Sequence, residues 1–104
     1  NEHIDIGATG VQYLLVGAQR PNRKLQMLHE FYEVGKDSGR RPLSHEGEEC
    51  GLVLNGRLEV SVGDDVFTLE AGDAYYFSST RPHRFRNVGD IPCEVVSACT
   101  PATF

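Results

Sequence analysis

The sequence predicts an all-β fold, an antiparallel sandwich or barrel, and three observations carry that prediction. Short apolar runs recur at roughly 8–12 residue spacing, separated by Gly, Pro, Asn and Asp clusters. No stretch shows a convincing helical period. The run Arg57 to Val62 sets Leu58, Val60 and Val62 against Arg57, Glu59 and Ser61, the alternation of a strand with one face buried and the other wet. With 104 residues the chain predicts one domain over residues 1–104, built on a single core.

Taken in order, residues 1–10 are polar and glycine-containing and read as a lead-in arm. Val11 to Val16 is the first strand-like run, and Gly17 to Arg23 contains Pro21 and turns. Lys24 to Val34 carries apolar residues on both parities; its aromatic and β-branched content favours a strand over a helix. Gly35 to Leu43 reads as a loop, and Glu49 to Leu54 as a short apolar strand. Asn55-Gly56 is the strongest hairpin signal in the chain, since a type I′ turn needs positive φ at both central residues. Strands are expected at Val66 to Leu69, Ala74 to Phe77, His83 to Asn87 and Cys93 to Thr100.

The formal net charge of -5 argues against this domain gripping phosphate backbones, which needs a basic footprint. No apolar run approaches the roughly 20 residues that span a bilayer, and the first residues lack the features of a signal peptide. The chain begins with Asn1 rather than Met, as expected of a domain cut from a longer protein. Cys50, Cys93 and Cys99 are odd in number and lack CxxC spacing. They predict small buried hydrophobes in a reducing cytoplasm rather than a disulfide framework.

Candidate chemistry gathers where His45 and Glu49 straddle the start of one strand and His83 opens another. If the sheet brings these together, two imidazoles and a carboxylate form a set suited to Fe(II) and equally open to Zn, Ni or Mn. The alternative is that His45 and Glu49 are a solvated rim and His83 a hydrogen-bonded core residue. Glu46 and Glu48 have the opposite parity to His45 and Glu49 and are expected to face solvent, unless Gly47 kinks the strand. Alternation likewise places Arg84 and Arg86 outside, whereas Arg40, Arg41 and Arg81 sit on loops where they could recruit an anion.

Two segments resemble the paired motifs of the cupin family. Gly56, Glu49 and His45 fall on the last glycine, the glutamate and the second histidine of G-x5-H-x-H-x3,4-E-x6-G. Gly72, His83 and Asn87 keep every interval of G-x5-P-x-G-x2-H-x3-N, with Ser78 and Thr80 where Pro and Gly are usual. The resemblance implies a jelly-roll barrel with His45, Glu49 and His83 in its mouth. Two positions depart from the pattern: Asp37 stands for the opening glycine, and Leu43 for the first histidine. Three of four ligand positions remain. Such a mouth implies either one divalent metal (Zn, Ni, Fe or Mn) completed by water, or a metal-free site for an organic ligand.

The runs SHEGEECGLVLNGRLEV, AGDAYYFSSTRPHRFRNVGD and VVSACTPATF resemble the C-terminal sensor domains of bacterial repressors, in particular the putrescine-utilisation type. There a Cro/repressor-type helix-turn-helix precedes the cupin. The resemblance implies a homodimeric domain that binds a small effector, a polyamine among the candidates, and meets DNA only through an attached helix-turn-helix. A diamine pocket needs carboxylates and apolar or aromatic walls, for which Glu49, Leu43, Val53, Phe85 and Tyr76 (or its neighbour Tyr75) are the expected lining, with His45 and His83 as polar partners. The alternative function is a small metal-dependent cupin enzyme, of the oxygenase or isomerase kind, with His45, Glu49 and His83 as ligands.

Overall fold

A computed structural model of the chain describes residues 2–4, 10–39 and 43–103. Among the described residues there are nine strands and no helix: β1 (Glu2–Ile4), β2 (Val11–Leu15), β3 (Gln26–Tyr32), β4 (Glu48–Asn55), β5 (Arg57–Val62), β6 (Asp65–Glu70), β7 (Ala74–Ser78), β8 (His83–Asn87) and β9 (Cys93–Thr100). They form two antiparallel sheets, one in the order β1-β2-β3-β9-β4-β7 and the other β6-β5-β8. The all-β expectation holds, and the predicted strands fall within two residues of the observed ones.

Alternate residues of β2, β3, β5, β7, β8 and β9, with Val53 of β4, meet between the sheets. Tyr13, Leu28, Tyr32, Val53, Leu58, Val60, Val62, Phe85, Cys93 and Val95 all belong to the buried cluster. Each buried aliphatic or aromatic side chain contributes roughly 1.5–3 kcal/mol relative to exposure, and this is what closes the two layers on each other. Cys93 and Cys99 are buried, Cys50 is half-buried, and all three are free thiols. Asn87, from the second motif, ties the far end of the barrel: its amide donates to the Tyr32 and Ile91 carbonyls while its carbonyl oxygen accepts from Gly89 N–H.

Two expectations are corrected. Residues 1–10 are not merely an arm, because Glu2–Ile4 pairs with β2, His3 opposite Leu14. A strand there shields the backbone groups that β2 would otherwise leave unpaired. Asn55-Gly56, moreover, does not close a hairpin. β4 pairs with β7 and β9, and β5 with β6 and β8, so Gly56 is the corner at which the chain leaves one sheet for the other. Gly56 alone has positive φ (86°), and a Cβ there would sit 2.9 Å from the Cys93 Cα. The corner therefore selects glycine for lack of room, which from sequence looks the same as turn chemistry. The tight hairpin lies further on, at Gly63-Asp64 between Val62 and Asp65.

Candidate functional site

His45, Glu49 and His83 do converge. Glu49 Oε1 lies 3.5 Å from His45 Nε2 and 3.5 Å from His83 Nε2, and one donor atom from each residue falls within 4.8 Å of the others. The strands explain it. Glu49 sits at the start of β4 facing inward, and His83 opens β8 in the opposite sheet. His83 is paired by two backbone bonds to Leu43, of 2.7 and 2.8 Å, and the residues after Leu43 carry His45 into the mouth.

The histidine tautomers follow from their partners. His83 Nδ1 donates to the Arg81 carbonyl at 2.8 Å, and His45 Nδ1 donates to the Glu46 carbonyl at 3.3 Å. Carbonyls only accept, so both protons sit on Nδ1 and both Nε2 lone pairs face the cluster. His83 Nε2 is buried and has no hydrogen-bond partner among the described residues. Burial pushes the His83 pKa down, an effect reinforced by His45 and opposed by the hydrogen bond to Arg81. Burial raises the Glu49 carboxyl to about 7, partly offset by the hydrogen bond that Tyr75 donates at 3.1 Å. The buried Nε2 of His83 therefore presents its lone pair beside the Glu49 carboxyl.

These donors fit a divalent ion. Metal–ligand distances of about 2.0–2.2 Å in tetrahedral geometry put neighbouring ligand atoms near the 3.5 Å that separates Glu49 Oε1 from each Nε2, and each imidazole is oriented through its other nitrogen. Leu43 stands directly opposite His83, where a further ligand would stand, and its side chain is 42% exposed. Leu43→His is accordingly expected to raise Ni²⁺ or Zn²⁺ affinity by about tenfold or more in titration calorimetry. Unchanged affinity would mean that position 43 does not reach the cluster.

Behind the cluster lies a cavity of about 240 Å³ whose lining includes Tyr13, Leu28, Leu43, His45, Glu49, Phe85 and Cys99. Leu43 and Phe85 thus take the wall positions expected of them. Tyr76 does not. It is 68% exposed on the outer face of β7, with its hydroxyl donating to Glu48. Tyr75 points inward instead, because β7 sets it opposite Gly51, whose missing side chain leaves space for the ring. Tyr75, Phe77, His83 and Phe85 form a continuous aromatic group with centroids 4.9–6.3 Å apart. Glu46 and Glu48 are exposed, as parity required. Arg84 and Arg86 also face outward, and Arg81 is held by Asp65 at 3.1 Å. Arg40 and Arg41 lie outside the described residues.

Sequence reasoning missed the polar side of the cavity. Gln26, Glu30 and Ser97 are buried and line it. Tyr32 donates to Glu30 Oε1 at 2.8 Å and Ser97 donates to Oε2. Burial lifts the Glu30 carboxyl to about 7 against both hydrogen bonds. Thr103, from the C-terminal tail, donates to Gln26 Oε1 at 2.8 Å through its N–H and so joins the wall. The available signal was parity: Leu28 and Tyr32 face inward, and Gln26 and Glu30 share their parity on β3.

Comparison with known proteins gives consistent relatives. Residues 28–99 match the model of the cupin domain family. Over 101 residues the chain is 39% identical to the HTH-type transcriptional regulator PuuR of Escherichia coli, covering 97% of this chain and 54% of that protein. The chain therefore spans about half the length of the curated relatives it matches first. Among solved structures, the cupin domain of an XRE family transcriptional regulator from Enterobacter cloacae superposes with a TM-score of 0.77 at 20% identity, covering 88% of this chain and 97% of that one. An HTH_3 family transcriptional regulator from Vibrio cholerae gives a TM-score of 0.74 at 15% identity, covering 88% and 51%.

Proposed function

The chain belongs to the cupin family, and we propose that it is the effector-binding domain of a bacterial transcriptional regulator, acting in the cytoplasm and without catalysis of its own. The effector is a small amine, with polyamines the leading class. Binding would shift an attached helix-turn-helix between DNA-competent and incompetent arrangements, which requires the amine to favour one of them. The 39% identity to an HTH-type regulator across 97% of the chain supports the regulatory part. No helix among the described residues is long and apolar enough to cross a membrane, and none is needed in this reading.

One observation carries the amine. Glu49 Oε1 and the two Nε2 atoms are three acceptors within 4.8 Å of one another, and an ammonium group has three N–H donors and no acceptor. No lysine or arginine belongs to the described lining of the cavity behind them. The test is thermal unfolding of the chain against a panel of polyamines, amino acids and sugars. An amine at a hundredfold its Kd is expected to add about 2.7 kcal/mol, a rise of roughly 10 °C or more. A panel that leaves the midpoint unchanged would overturn the reading.

The same three atoms support a second reading, a metal-dependent cupin enzyme, through the unpartnered Nε2 of His83. His45, Glu49 and His83 would hold the ion, which would supply Lewis acidity to a bound substrate oxygen. Glu49 cannot serve an ammonium and a metal together. Saturating Zn²⁺ or Ni²⁺ is therefore expected to suppress amine binding in competition calorimetry, and turnover by metal-loaded protein would favour the enzyme.

The regulator is further proposed to be a homodimer. On the outer face of the large sheet, register aligns Met27, Ala98, Cys50 and Tyr76 in one row, with Val96 and Leu52 beside them. Met27, Leu52 and Tyr76 are each more than 40% exposed. An apolar stripe across four strands suits a self-complementary partner. Leu52→Asp is expected to convert a dimer into a monomer by light scattering at micromolar concentration; wild-type protein already monomeric there would refute the interface.

A further inference from the structure

We propose that Glu30 is a second anchor for the effector, a carboxylate at the far end of the cavity that holds an ammonium group and selects ligands charged at both ends. The proposal rests on the amine reading above and adds a specificity-determining residue to it, the one that meets the second ammonium of a ligand charged at both ends.

The placement comes from strand register. Gln26, Cys99 and Glu49 share one rung of the large sheet, whereas Glu30 shares a rung with Val95 and Val53, four residues further along β3. At ordinary strand spacing and rise, the Cα atoms of Glu30 and Glu49 are offset by about 10 Å across the sheet and about 13 Å along it. Both face the same cavity, and the wall that joins them is formed by Leu28, Phe85 and Cys99. Two carboxylates with an apolar stretch between them are the complement of a diamine: the methylenes lie on the wall and a charge meets each end.

The local chemistry of Glu30 supports a binding role over a purely structural one. The residue is 5% exposed, and its two oxygens each accept one hydroxyl, from Tyr32 and Ser97. A carboxylate offers about four lone-pair positions, so acceptor capacity remains for a guest. A neutral amide at this position would still give Tyr32 an acceptor and Ser97 a partner without a buried charge. What only a carboxylate supplies is the charge, and charge is what an ammonium reads. Ser97 and Tyr32 hold the group in place and leave it facing the cavity.

Binding calorimetry on the wild-type chain and Glu30→Gln tests this with four probes: diaminobutane and diaminopentane, and the singly charged pentylamine and hexylamine. The wild type is expected to prefer each diamine over the monoamine of similar length by about tenfold or more. Glu30→Gln should lower diamine affinity by about tenfold and leave monoamine affinity within about twofold, so that the preference collapses. Thermal unfolding of Glu30→Gln, expected at or above the wild-type midpoint at pH 8, shows that the variant is folded. Diamine affinity unchanged in the variant would overturn the anchor while leaving the amine reading intact. Equal losses for diamines and monoamines would also overturn it, by reducing Glu30 to a structural residue. A wild type that binds none of the four probes would remove the amine reading and Glu30's role together.

Discussion

Gly47→Ala is expected to destabilise the fold by about 4 kcal/mol, lowering the unfolding midpoint by roughly 20 °C. Two costs add. Gly47 has φ of +102°, a region that side-chain-bearing residues rarely adopt, and a Cβ there would lie 1.9 Å from the Thr100 carbonyl oxygen, a backbone atom that cannot swing aside. The residue also holds the site together: its carbonyl accepts the Ser79 N–H at 2.9 Å, and Ser79 in turn accepts the His45 N–H at 2.9 Å. A displaced Gly47 moves His45 and Glu49 relative to each other, so ligand affinity should fall with stability. Gly72→Ala is the control. Gly72 has φ of +93° but open space around the missing Cβ, so it should show the conformational cost alone, roughly 1–2 kcal/mol. Denaturant titration of both variants decides the matter: equal losses would mean that the close approach to Thr100 does not exist.

Gly47 also illustrates what could be read from the sequence. Parity alone placed Glu46 and Glu48 in solvent, opposite to His45 and Glu49, and that arrangement holds although Gly47 has positive φ. The three-residue cluster was legible because motif spacing fixes which strand ends carry ligands, and a barrel brings strand ends together. Leu43 was legible as a departure from the motif for the same reason, and the backbone pairing sets it opposite His83. The Asn55-Gly56 corner was misread because one local pattern serves two topologies, and only pairing partners distant in sequence distinguish them. Tyr75 and Tyr76 are adjacent, so choosing the inward one required the register of β7 on β4, which hangs on the space above Gly51. Glu30 was legible only in part: it shares the parity of Leu28 and Tyr32 on β3, but Met27 and Phe31 place apolar residues on the other face as well, so the sequence did not mark which face is buried.

Glu30 should also govern how stability responds to pH. Burial raises its folded-state pKa from 4.5 to about 7. Between those values the folded chain keeps a proton that the unfolded chain has released, so stability falls as pH rises through the window and levels off above about 7. At about 1.4 kcal/mol per pH unit the loss from this residue alone is on the order of 3 kcal/mol. Glu49, raised in the same direction, adds to the wild-type slope. Glu30→Gln isolates the Glu30 part: urea titrations at pH 5 and pH 8 should show the variant losing less between them, and standing above the wild type at pH 8. Parallel pH profiles for the two proteins would mean that Glu30 ionises as freely folded as unfolded. The sign matters for function. Above pH 7 Glu30 is an ionised, destabilising carboxylate in the cavity wall, and below it a neutral acid that must release its proton to solvent before it can pair with an ammonium. A cationic guest relieves the first state and is opposed by the second. Effector affinity should therefore rise with pH up to about 7 in the wild type, and that part of the rise should be missing from Glu30→Gln.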